Sequence, residues 1–133
     1  MRLAAAWLAT AVVFVALDIS WITLTSAMIY QPVLAPLLAA SVRPLAAVAF
    51  YLVYIGGIVL FAVRPGLRAR RWTTAAGFGA ALGLVAYGTY DLTNQATLKL
   101  WATHVTLLDM GWGMLATAVA ASAGYAVGRR LGA

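Results

Sequence analysis

LAAAWLATAVVFVALDISWITLTSAMI, Leu3–Ile29, decides the fold. It is an apolar run longer than the about 20 residues a helix needs to cross a bilayer. A single acid, Asp18, interrupts it. A soluble helix of this length would show a charged face, and this one has none.

Three further runs share that character: about Leu45–Val63, Trp72–Leu92 and Val105–Val127. The 133 residues are 65% hydrophobic and 9% charged, and mean hydropathy is +0.94. A soluble domain carries about 25% charge. The expectation is one all-α domain, a polytopic four-transmembrane-helix bundle with spans at about 3–29, 45–63, 72–92 and 105–127. Residues 30–44 carry three prolines, which disfavour helix continuation. They read as an outer loop with a short interfacial helix.

The chain has no Cys, which excludes disulfides and thiolate metal sites, and its single His leaves little for a transition metal. No metal site and no cofactor are expected. The net charge of +6 invites a nucleic-acid partner, but the arginines sit at the ends of apolar runs, so none is expected. The start, MRLAAAWLATAVVFVAL, has the look of a secretory leader. The length of the run and its Asp18 and Trp21 favour a retained helix instead.

The basic residues set the orientation. Arg2, Arg64, Arg68, Arg70, Arg71, Arg129 and Arg130 fall on one side of a four-span chain; Arg43 and Lys99 fall on the other. The positive-inside rule then gives an N-in/C-in topology, with both termini and the Arg64–Arg71 loop in the cytoplasm.

Only three acids occur: Asp18, Asp91 and Asp109. Counted from Arg2, Arg71 and Arg129 at 1.5 Å per residue, they lie roughly 24, 30 and 30 Å from the inner boundary. That places all three in the outer half. L-D-I-S-W-I-T-L at Leu17–Leu24 matches L-D-M-G-W-G-M-L at Leu108–Leu115, so each unit sets an acid and an indole on one helix face. D-I-S also matches D-L-T at Asp91–Thr93. The first match suits an inverted internal repeat, the second a parallel one. Helix 3 carries Ala75, Gly79, Gly83, Tyr87 and Asp91 at steps of four; helix 2 carries Tyr51 and Tyr54 on one face.

Each of these residues has a plain reading beside a functional one. The acids could serve packing, yet intramembrane acids are expensive and default to function. Tyr90 and Asn94 could cap helix 3. Trp21 and Trp112 could simply pack. Lys99, Trp101 and His104 suit the headgroup level. No nucleophile–base pair or phosphate loop is legible, so catalytic residues stay unassigned.

YDLTNQATLKLW (Tyr90–Trp101), LLDMGWG (Leu107–Gly113) and LDISW (Leu17–Trp21) together resemble a family of small bacterial membrane proteins, a domain of unknown function numbered two-one-seven-seven. The resemblance covers nearly the whole chain. It implies four membrane helices in a bacterial cytoplasmic (inner) membrane and carries over no activity. The architecture is also similar to small multidrug transporters, from which the three acids and the strong charge bias depart.

The expected function is a transporter or membrane-embedded binding protein for a small cationic or polar-headed ligand, with proton coupling through an aspartate. Its site would comprise Asp18, Trp21, Tyr51, Tyr54, Tyr87, Tyr90, Asp91, Asn94, Asp109 and Trp112. Two alternatives stand beside it: a membrane enzyme acting on lipid or isoprenoid substrates, and a non-catalytic assembly partner. The expected partners are the lipid bilayer, a small-molecule or lipid ligand, and further copies of the chain, since four helices enclose only a thin core.

Overall fold

A computed structural model describes residues 1–132. The chain is almost wholly helical, with no strand among the described residues. Helix α1 spans Arg2–Thr25 and continues through a π-helical turn, Ser26–Tyr30, a short α2, Gln31–Leu34, and a 3-10 turn, Ala35–Leu37. Next come α3, Pro44–Ile58, a second π-helical turn, Val59–Val63, and α4, Arg64–Ala69. Then follow α5, Trp72–Thr97, and α6, Thr103–Gly132.

The prolines act differently from the sequence expectation. The first helical column runs past Tyr30 to Leu37, and the second passes Pro65 to Ala69. In both, a five-residue π-helical turn comes first, then one residue, then proline: Ser26–Tyr30, Gln31, Pro32 and Val59–Val63, Arg64, Pro65. A proline ring collides with the carbonyl four residues back and donates no hydrogen bond. A π-helical turn just upstream widens the coil, so the column bends where it would otherwise stop. Helix α5 likewise extends to Thr97, so most of Tyr90–Trp101 is helix, and the connection to α6 is only residues 98–102.

The molecule is apolar outside and small or polar inside. Val53, Leu24, Leu107, Val85 and Leu8 are all more than half exposed. The inward stripe of α1 is Ala6, Thr10, Phe14 and Asp18, one residue per turn. A soluble protein would not tolerate so much exposed apolar surface; lipid chains solvate it. Three columns, Arg2–Leu37, Pro44–Ala69 and Thr103–Gly132, are long and apolar enough to cross a membrane.

Helix α6 is the hub, packed against both α5 and α1. The row Ala75–Gly79–Gly83 of α5 faces α6 inside the bundle. A methyl added at Gly79 would come within 3.0 Å of Ala121, and one at Gly83 would strike the Gly113 carbonyl. Helices this close are held by backbone-to-backbone packing, the usual cohesion between membrane helices. Two interlocks fix the antiparallel register. Gly79 and Gly83 of α5 meet Thr117 and Gly113; Gly124, Gly128 and Gly132 of α6 meet Thr10, Ala6 and Arg2 of α1.

Candidate functional site

Continuing those registers places the acids. Asp18 falls level with Ala116 of α6, and Asp91 level with Val105, with Asp109 between. They form a stair of roughly 16 Å along α6, at 1.5 Å per residue. Counting from the basic residues predicts a flatter layer. The helices do not begin at one level: Arg2 lies beside Gly132, beyond Arg129.

All three acids are buried, and Asp91 is 0% exposed. Each meets different partners. The Tyr51 hydroxyl donates to Asp18 Oδ2 at 2.5 Å, from α3 across to α1. The Tyr30 hydroxyl donates to Asp109 Oδ1 at 2.5 Å and itself accepts the Trp21 indole N–H at 2.7 Å. Asp91 sits beside Asp109, and neither of its carboxylate oxygens has a hydrogen-bond partner. Among the described residues, no Arg or Lys pairs with any of the three.

The aromatic residues build the walls. Trp21 and Trp112 stack face to face, with centroids 4.6 Å apart and planes 6° from parallel. The Trp112 N–H is buried without a partner. Tyr54 is pinned to α6 by a 2.7 Å bond to Thr117 Oγ1 and lies against Phe14 at 5.0 Å. Tyr87 packs edge-on to Tyr54 at 6.1 Å and covers Gly113, where any side chain would meet its ring. Tyr90, about two turns before the end of α5, stands edge-on to Trp101. Asn94, one turn further, is half-buried and lies outside the cavity wall.

These groups surround a cavity of about 580 Å³ between α1, α3, α5 and α6. Its walls hold Asp18, Asp109, Tyr51, Tyr54, Tyr87 and Tyr90. Of the residues nominated from sequence, these six converge on it. Asp91, Trp21 and Trp112 support it from behind. The arrangement offers two carboxylates and several hydroxyls to a ligand inside an otherwise apolar body. Such a site suits a cation or a hydrogen-bond donor, through carboxylate attraction and aromatic faces. No cluster of three His, Asp or Glu side chains among the described residues is placed to hold a metal ion.

Sequence reasoning overlooked Tyr30 and Thr117. The signal that could have found Tyr30 is Pro32, since the bend before this proline turns Tyr30 back over the bundle.

Fold and site together define an all-helical integral membrane protein with a buried acid–tyrosine cavity. The sequence profile described as "Predicted membrane protein (DUF2177)" matches residues 3–126, and the chain belongs to that family. No curated protein and no solved structure matches it.

Proposed function

We propose that this chain binds a small ligand with a cationic head in its outer-half cavity and moves that ligand across a bacterial inner membrane, exchanging a proton on the aspartates. One observation carries the reading: three buried acids, none with a basic partner, two of them on the wall of one cavity. An acid at membrane depth costs about 2.5 kcal/mol or more on insertion scales. Packing alone is served more cheaply by Asn or Ser. A cation entering the cavity offsets the charge of Asp18 and Asp109, and a proton offsets it when the cation leaves. The orphaned carboxylate of Asp91 beside Asp109 gives that proton a second resting place.

The topology belongs to the same proposal. The chain crosses four times with α5 as the third span, and both ends face the cytoplasm. Seven basic residues against two support this orientation. Cysteine labelling tests it: Gln95→Cys should react from outside in intact cells and Gly132→Cys only after lysis. Outside labelling of Gly132→Cys would reverse the orientation.

The functional test is equilibrium dialysis of the purified chain with radiolabelled tetramethylammonium, followed by uptake in proteoliposomes under a pH gradient. Saturable binding is expected in the wild type. It should weaken by roughly tenfold or more in Asp18→Asn and in Asp109→Asn, the loss expected when one charge partner is removed. Binding without uptake would make the chain a binding protein only. Unchanged binding in the double Asn variant would return the acids to a packing role.

A further inference from the structure

A second hollow lies beside the cavity. It is an apolar groove of about 660 Å³ beside α3 and α5, running from Ala46 on α3 to Phe61 in the π-helical turn that follows it. That is roughly 22 Å at 1.5 Å per residue, most of the about 30 Å hydrocarbon core. The groove and the polar cavity share Phe50, Tyr54 and Ala86 as a common wall. Phe50 and Tyr54 stack across that wall, with centroids 5.5 Å apart and planes at 15°. Tyr54 is fixed by Thr117, whereas Phe50 is 45% exposed. The flanking Val53, Phe61, Phe78 and Val85 are more than half exposed, so the gap between α3 and α5 opens towards lipid.

Gly57 lies in the groove, and a Cβ there would have nothing within 4 Å. Gly83, by contrast, is demanded by close helix contact, whereas Gly56, Gly77 and Gly111 are as open as Gly57 but do not line the groove. No protein contact demands Gly57, and a mid-helix glycine destabilises a helix relative to Ala. What it gives in return is width in the groove.

The shape is therefore that of one bipartite site: acids and hydroxyls at one end, a long apolar slot at the other. The slot runs from the level of the acids towards the Arg-rich end of the bundle. We infer that the ligand is a single-chain amphiphile with a cationic head. It enters sideways from the bilayer between α3 and α5, and its tail lies in the groove while its head sits at Asp18 and Tyr51. This rests on the proposed binding function and narrows its ligand. The head-outward, tail-inward pose is the one an amphiphile already holds in the outer leaflet, so entry needs no inversion of the molecule.

The test uses the full chain in phosphatidylcholine nanodiscs. The probe is dodecyltrimethylammonium with a diazirine at its chain end, and crosslinked peptides are mapped by mass spectrometry. Tetramethylammonium binding is measured in parallel. Label is expected on α3 around Val53–Phe61 and on α5 around Leu82–Ala86, displaced by excess unlabelled probe. Gly57→Leu should cut this labelling by roughly tenfold, the scale on which an occupied pocket rejects a methylene, and leave tetramethylammonium binding intact. Gly77→Leu, on α5 with equally open space, should change neither. Labelling scattered over the lipid-facing surface and indifferent to unlabelled probe would overturn the inference, and the map on the unaltered chain decides this even if Gly57→Leu fails to fold. Scattered label with tetramethylammonium binding retained sinks the lateral amphiphile alone. Loss of both binding signals in the wild type sinks the binding function as well.

Discussion

The two stretches Leu17–Leu24 and Leu108–Leu115 share the pattern L-D-x-x-W-x-x-L and lie on antiparallel neighbours, α1 and α6. Their tryptophans meet face to face. The local letters are the same; the surroundings are not. Asp18 receives a hydroxyl from α3 and lies on the cavity wall. Asp109 receives one from the bend after α1 and lies against a second acid. The Trp21 N–H is satisfied, while the Trp112 N–H is orphaned. After its tryptophan the first unit has Ile22, 49% exposed, and the second has Gly113, buried under Tyr87. A short motif fixes which side chains share a helix face. It does not fix what that face meets.

That asymmetry can be broken at three strengths. The largest effect is expected where the units differ most. Gly113→Ile, which gives the second unit the residue of the first, would drive a branched side chain into Tyr87 and the α5 backbone. We expect a loss of about 3 kcal/mol or more, the upper range for overpacking. Ile22→Gly should cost only about 1 kcal/mol, mainly helix propensity. Thermal unfolding in detergent, followed by size-exclusion fluorescence, measures both; equal losses would erase the proposed difference.

The tyrosine partners come next. Tyr30→Phe strands both Asp109 and the Trp21 N–H, whereas Tyr51→Phe strands only Asp18. Hydrogen bonds between membrane helices average about 0.6 kcal/mol, so the first should lose about 1.2 kcal/mol and the second about half that. Chemical denaturation in mixed micelles would resolve the ratio, and a larger loss for Tyr51→Phe would contradict the relay through Tyr30.

The smallest test concerns the indoles. Trp21→Phe and Trp112→Phe both weaken the stack, but only the first removes a hydrogen bond. A gap of about 0.6 kcal/mol is expected between them. Identical stabilities would mean that the Trp21–Tyr30 bond contributes nothing.

Much of this was legible in advance. The long apolar runs, the shared face of Ala75, Gly79, Gly83, Tyr87 and Asp91 and the shared face of Tyr51 and Tyr54 follow from helical periodicity, which every helix imposes on its own side chains. The helix ends were harder. Pro32 suggested a stop, and a π-helical turn carries the helix past it. Depth was misjudged for a related reason. Basic residues mark a membrane boundary only within a few residues, and each helix overshoots by a different amount.

By itself, the sequence determined that the chain lives in a membrane, that its three acids are buried, and which face of each helix carries them. Too few charges are present to keep these helices in water, and a lone acid in an apolar helix must turn inward. The tertiary structure alone decided that Tyr30 reaches Asp109, that Asp91 has no partner, that two tryptophans from distant units stack, and that a cavity and a groove share one aromatic wall. Those outcomes depend on where two helices cross and where one bends. Crossing and bending are set by contacts between residues far apart in the chain, and no local pattern records them.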